Sequence, residues 1–186
     1  MAYTRPQVKL SVVIPTLDEA ANISVLLERL SETPGIYEVV VAHGGSADGT
    51  PNILRSSMYR LVLDEPGRGV QFRVGASETT GDVLLFASRR LAAPECGHAD
   101  SECYGGGLRW WNFCLRYPRD DLLGRWLEIL APVYRRLGRY YGDPGIFARR
   151  DIYEAGGGFP WFPIMEDVVS VRRIEGAGRQ STCRGP

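Results

Sequence analysis

The chain has 186 residues, with 22 Lys and Arg balanced by 22 Asp and Glu. That length suits a single domain with a real core, and the balance leaves no net field to draw the protein to nucleic acid. No run of about 18 apolar residues occurs, so no membrane span is predicted. Met1-Ala2-Tyr3-Thr4-Arg5 leads straight into a strand without a secretory pattern.

The elements alternate through the first half. Val8 to Ile14 reads as a buried strand that Pro15 stops. Thr16 to Glu19 has the T-x-x-E spacing of a helix capping box, and Ile23, Leu26, Leu27 and Leu30 fall on one helical face before Pro34-Gly35. Tyr37 to Val41 is predicted as the second strand, Thr50 to about Ser57 as a helix, and Arg60 to Leu63 as the third strand. A third helix is predicted from Arg68 to about Glu78, a turn at Gly81-Asp82, and a fourth strand over Val83 to Phe86. This order predicts an α/β fold with a mainly parallel sheet and helices on both faces, its ligand at the carboxyl ends of the strands.

The second half is less regular. Gly105 to Leu115 is predicted as a strand or hairpin, and Leu122 to Leu137 as an amphipathic helix. The basic end of that helix, with Arg135, Arg136 and Arg139, is a candidate for peripheral membrane contact, although such a stripe is more often packed core. Gly142 to Gly145 reads as a turn, Ile146 to Arg150 as a short strand, and Asp151 to Ala155 as a helix. Glu166-Asp167 opens a last helix, Val168 to about Glu175.

Several stretches have chemistry to offer. The loop Gly44-Gly45-Ser46-Ala47-Asp48-Gly49 joins a buried strand to a helix start, an arrangement that can present backbone N–H groups to an anion. Asp18 and Glu19 follow the first strand, where they either cap a helix or face a ligand. Arg68 opens the third helix, either solvated or facing phosphate, whose geometry suits a guanidinium. Two adjacent carboxylates at Glu166-Asp167 either complement a helix dipole or supply a general base. The four cysteines, at 96, 103, 114 and 183, are few for this length and read as reduced thiols in a cytoplasmic protein. Cys96-Gly97-His98-Ala99-Asp100 up to Cys103 holds metal-capable side chains, but their spacing fits no common zinc pattern.

Pro15-Thr16-Leu17-Asp18-Glu19, the Arg68-x-x-Gln71 stretch with Gly75-Ala76, the run from Gly142 to Arg150, Gly157-Gly158-Phe159-Pro160 and Glu166-Asp167 together resemble the family 2 glycosyltransferases. They are most similar to a small bacterial branch linked to arsenosugar-type pathways. The resemblance implies one GT-A domain over residues 1–186, shortened at its C-terminus. It also implies inverting transfer of a sugar from a nucleotide-diphosphate donor to an acceptor it does not identify. Asp167 would be the base with Glu166 beside it, and Pro15, Thr16, Asp18, Glu19 and His43 would line the nucleotide. Arg68 would face the diphosphate, and Gly142 and Asp143 the acceptor.

Two positions depart from the family pattern. His43 stands where an aspartate is usual. Ser88-Arg89-Arg90 stands where an aspartate would hold the expected Mg²⁺ or Mn²⁺, while a literal His98-Ala99-Asp100 follows later. The metal is thus either held by a displaced motif at His98 and Asp100 or replaced by Arg89 and Arg90. Otherwise the chain is a non-catalytic nucleotide-binding relative, or residues 88–103 are a local frame error. A dinucleotide-dependent oxidoreductase fits the alternation but lacks G-x-G-x-x-G after the first strand.

Overall fold

A computed structural model describes residues 8–87, 110–112, 145–160 and 173. Six strands, β1 (Leu10–Thr16), β2 (Ile36–His43), β3 (Arg60–Leu63), β4 (Val83–Phe86), β5 (Trp110–Asn112) and β6 (Ile146–Arg149), form one sheet in the order β3-β2-β1-β4-β6-β5. The first four are parallel, and β6 is antiparallel to both β4 and β5. Helices α1 (Ile23–Glu32), α2 (Thr50–Arg55), α3 (Arg68–Ser77) and α4 (Arg150–Ala155) complete the described elements.

The parallel strands are nearly continuous apolar runs because helices cover both faces. Val12, Ile14, Val83 and Leu85 point to the side packed by Ile23, Leu26, Leu27 and Leu30 of α1 and Leu54 of α2. Their neighbours Val13, Leu84 and Phe86 point the other way, to Phe72 and Ala76 of α3 and Ile152 and Tyr153 of α4. Helix α3 lies so close to β1 that a Cβ on Gly75 would stand 2.3 Å from Val13 Cγ1.

One expectation fails in an informative way. Thr16 does not cap a helix: it ends β1, and α1 begins only at Ile23 with Asn22 at its N-cap. The strand runs through Pro15 because of where the sheet stops. Val13 is the last β1 residue paired with β4, opposite Phe86, whereas the pairing with β2 continues to Thr16 and His43. Val13 O accepts from Ala87 N on the β4 side and Thr16 O from Gly44 N on the β2 side. By the alternation of a strand, the missing N–H of Pro15 faces the β4 side, where the next ladder bond would fall, and the β4 pairing ends there while that with β2 goes on. The end of β1 thus lies at the point where the strand order reverses, between β2 on one side and β4 on the other. In an open parallel sheet this is where ligands bind.

The predicted helices Leu122 to Leu137 and Val168 to Glu175 lie outside the described residues, except that Arg173 is helical. Among the described residues no helix is long and apolar enough to cross a membrane.

Candidate functional site

The carboxyl ends of β1, β2 and β3 carry three loops, and the first two are bonded into one wall. Asp18 N–H donates to Ser46 Oγ at 2.8 Å, and Ala47 N–H donates back to Asp18 Oδ1 at 2.9 Å. Ala20 N–H donates to Asp48 Oδ2 and Glu19 N–H to Thr50 Oγ1, both at 2.9 Å. Asp18 holds a left-handed backbone at φ 50°, a conformation that aspartate tolerates better than most residues. Its two bonds to the facing loop fix it there. Asp48 also accepts from Thr50 N–H at 2.9 Å. Hydrogen bonds from the Thr50 hydroxyl and from Ala20 hold its carboxyl below the usual range.

These bonds correct the expectation of an anion cradle in the loop after β2. The N–H groups of Gly45 and Ser46 point at the His43 ring, and those of Ala47 and Thr50 are taken by Asp18 and Asp48. The donors of Ser46, Ala47 and Thr50 are thus spent on the loop itself and its neighbour. Helix α3, like the other three described helices, has no side-chain cap at its N-terminus; Arg68 is its first residue, with the guanidinium 5.4 Å from the centre of the Phe72 ring. A cation and an uncapped N-terminus at one spot form an anion-favouring corner.

His43 is 3 % exposed, and its Nε2 lies 3.1 Å from Ser46 N, with Nδ1 3.4 Å from Gly45 N. A neutral imidazole has one acceptor nitrogen, so we assign the shorter contact, Ser46 N–H to Nε2, as the hydrogen bond. Burial, then the nearby Arg55 charge, depress the His43 pKa against the opposing pull of Asp48 and Asp18. The ring therefore stays neutral near pH 7, as an acceptor must.

A depressed imidazole pKa means that the unfolded chain takes up the proton first as pH falls. Stability should therefore decline from the ordinary value of about 6.5 down through the lowered folded value, and be complete above 6.5. Urea midpoints measured between about pH 7.5 and 5 should fall more steeply in the wild type than in His43→Gln, which keeps an acceptor but does not titrate. Parallel curves would remove His43 from this role.

Behind the wall stands Gln71, buried on α3. Its Nε2 donates to Thr16 O and to Ala42 O, both at 2.9 Å, and so staples the ends of β1 and β2. Gly44 has no room for a Cβ, which would meet that amide nitrogen at 2.9 Å. Thr16 Oγ1 is buried without a hydrogen-bond partner and borders a recess of about 10 Å³ shared with Pro15, Glu19 and Asn22, large enough for one water. Gln71 belongs to the Arg68-x-x-Gln71 stretch marked in the sequence, but its role as a staple, like the bonds of Asp18 and Asp48 to the opposite loops, is not legible there. Only the adjacency of β1 and β2 brings them together.

A second group borders α3. Gly157 and Gly158 both take left-handed backbone, at φ 79° and 68°, which is why two glycines stand there. Gly158 N–H donates to Tyr153 O at 3.0 Å and Phe159 N–H to Tyr153 Oη at 3.3 Å. Phe159 is fully buried against Phe72 and Phe86. Arg150 ties this end to the rest, donating through Nε to Gly81 O at 2.7 Å and through Nη2 to Thr79 Oγ1 at 2.8 Å.

Of the residues expected to function, Pro15, Thr16, Asp18, Glu19, His43 and Arg68 are thus gathered around the carboxyl ends of the strands. Asp167, Glu166, Gly142, Asp143, His98, Asp100, Arg89 and Arg90 lie outside the described residues. Among the described residues no three His, Cys, Asp or Glu side chains come together as a metal site. The described residues do not by themselves fit the divalent ion expected from the resemblance.

Residues 11–88 match the model of glycosyl transferase family 2. A segment of 57 residues, 30% of this chain, is 47% identical to the succinoglycan biosynthesis protein ExoA of Rhizobium meliloti and spans only 16% of it. Among solved structures, the mannosyltransferase PcManGT from Pyrobaculum calidifontis, in complex with GDP-Man and Mn²⁺, is similar at a TM-score of 0.74 and 21% identity. The match covers 96% of this chain and 55% of that one. Glucosyl-3-phosphoglycerate synthase from Mycobacterium tuberculosis, with Mn²⁺, UDP and glucosyl-3-phosphoglycerate, is similar at 0.67 and 21% identity over 92% of this chain and 67% of the other. The chain therefore has the GT-A fold of these glycosyltransferases, with a glycosyl transferase family 2 segment over residues 11–88.

Proposed function

We propose that the protein transfers a sugar from a nucleotide-diphosphate sugar to an acceptor hydroxyl with inversion. The observation that carries this reading is the bonded wall of Asp18, Glu19, Ser46 and Asp48 beside the uncapped start of α3 at Arg68. Such a site separates two tasks. Pro15, Thr16, Asp18 and Glu19, backed by His43, form a rigid polar edge for base and ribose. Arg68 and the α3 N-terminus favour the diphosphate, and more so as negative charge gathers on it during departure.

Inversion requires the acceptor oxygen to attack from the side opposite the diphosphate, with a carboxylate taking its proton. We assign that role to Asp167, with Glu166 beside it, and place the acceptor near Gly142 and Asp143. The order Gly157-Gly158-Phe159-Pro160 followed by Glu166-Asp167, which resembles the family pattern, supports this assignment. A divalent ion, where present, would add positive charge at the diphosphate; the proposed Mg²⁺ or Mn²⁺ would draw on His98 and Asp100. Both glycosyltransferase structures named above were solved with Mn²⁺.

The test is release of UDP or GDP from a panel of sugar nucleotides, offered with and without candidate acceptors such as phosphoglycerate and simple sugars. Acceptor-dependent release supports transfer. Nucleotide binding without release under any condition would contradict it and leave a non-catalytic relative of the family.

A further inference from the structure

Thr16 closes β1, and Ala42 stands one residue before the end of β2. Both carbonyl oxygens accept from Gln71 Nε2 at 2.9 Å, so one side-chain amide joins the two points from which the bonded wall leaves the sheet. The orientation of that amide is forced, because only its nitrogen can serve two carbonyl acceptors. Thr16 O also takes the N–H of Gly44 at 3.0 Å. Gly44 is pressed between neighbours: a Cβ there would stand 2.9 Å from Gln71 Nε2 and 3.2 Å from Pro66 Cα. Pro66 belongs to the loop that leads from β3 into α3. The loops after all three strands therefore meet at one buried side chain.

The same residue ties that junction to the start of α3. Gln71 N–H donates to Gly67 O at 2.9 Å in the first turn. Arg68 lies three residues before Gln71, on the same side of the helix. The first turn of α3, with Arg68, is thus anchored to the loops that carry Asp18 and Asp48. Gln71 is only 3 % exposed, so its part is to hold these pieces together from behind.

We propose that Gln71 is the positioning residue of the nucleotide site: it keeps the loops after β1 and β2 and the start of α3 in the arrangement that receives the ligand, without touching the ligand itself. The proposal rests on the reading that a nucleoside diphosphate binds there. Without the amide, the loops must be brought together at the moment of binding. Apparent affinity then falls by the fraction of molecules that still hold the arrangement.

The experiment measures affinity for UDP and GDP, each with and without Mn²⁺, together with urea midpoints and amide hydrogen exchange. It compares wild type, Gln71→Met, Gln71→Glu and Leu10→Ala. Gln71→Met keeps the length of the side chain and removes the donor. Its affinity should weaken about 10-fold, as when one molecule in ten keeps the arrangement. Exchange should quicken at Gly44 and Ala47, whose N–H groups are bonded within the junction and the wall, and stay unchanged in β4. Leu10 is fully buried at the other end of β1. Leu10→Ala should lower the urea midpoint yet leave nucleotide affinity within about twofold of wild type.

Gln71→Glu adds a readout that a loss of packing would not move. Its carboxylate would face two carbonyl oxygens, whereas the protonated form donates to one of them. Its affinity, taken as a ratio to wild type at each pH, should therefore recover as pH falls from about 8 to about 5.5, since burial brings carboxyl protonation into that range. The ratio removes the titration of His43 beside the same loop and of the nucleotide phosphates, which both proteins share.

Wild-type affinity in Gln71→Met would overturn the role of Gln71 and leave the nucleotide site standing. An equal loss of affinity in Leu10→Ala would also overturn it, by making the effect one of stability alone. If Gln71→Met does not fold, Gln71→Glu decides: recovery on acidification supports the role, and a constant ratio overturns it. A wild-type chain that binds neither UDP nor GDP would overturn the nucleotide site and this role with it.

Discussion

Asp167→Asn should lower kcat by about 10²- to 10⁴-fold, the usual contribution of a positioned general base. Asparagine keeps the size of the side chain and can still accept a hydrogen bond, but it cannot take a proton from an acceptor hydroxyl. The proposed nucleotide edge at Pro15 to Glu19 is held by its own bonds to the loop after β2. Affinity for UDP or GDP should therefore be almost unaltered. The loss should appear in kcat and kcat/KM alike, since it removes an interaction made only in the transition state. Equal losses of turnover and nucleotide affinity would give Asp167 a structural role. Glu166→Gln, with the neighbouring carboxylate removed instead, should be the milder variant.

The largest expected effect on stability is at Phe86, where alanine should cost about 3–5 kcal/mol. Phe86 is 2 % exposed, and its ring lies 5.3 Å from that of Phe72, 4.7 Å from that of Phe159 and 5.1 Å from that of Tyr153. Those partners come from α3, from the turn after α4 and from α4 itself, so the cavity would open where the three meet. Helix α3 is held close to β1 at Gly75 and cannot collapse inward to fill it. A domain of this kind has about 5–15 kcal/mol in all, so urea unfolding would show a large share of the stability gone. Met58→Ala is the natural control: that side chain is 86 % exposed, and its loss should change stability by no more than about 0.5 kcal/mol. A Phe86→Ala loss as small as the control's would mean that the aromatic cluster does not pack the core as described.

The sheet was legible where its strands are short buried runs between strong punctuation. Arg60–Leu63 and Val83–Phe86 form as expected, bounded by Ser56-Ser57 and Asp64 in one case and by Gly81-Asp82 in the other. Periodicity likewise placed Ile23, Leu26, Leu27 and Leu30 on the buried face of α1. Thr16 misled because T-x-x-E is a local pattern, whereas the fate of Pro15 and Thr16 depends on β4 ending before β1 does. The glycine loop misled for a similar reason. Its donors look available along the chain, but Asp18 approaches from another loop and takes one of them. The antiparallel return of β6 onto β4, and the reach of Arg73 to Gly157, belong to three-dimensional adjacency with no short-range signal at all. Local chemistry marked Asp18, Glu19 and Arg68 as candidates, and the fold decides which neighbours they work with.

The central claim is that a nucleoside diphosphate binds at the joined ends of β1 and β2 and the start of α3. Thermal unfolding in UDP and in GDP, each with and without Mn²⁺, tests it most directly. At about 100 times its dissociation constant a ligand of the folded state adds roughly 2.7 kcal/mol, so at least one nucleotide should raise the midpoint clearly, and Arg68→Met should reduce that rise. A rise that needs Mn²⁺ would bring His98 and Asp100 into the site, and a rise without it would assign the cationic role to arginine. No rise with either nucleotide, with or without the ion, would contradict the account.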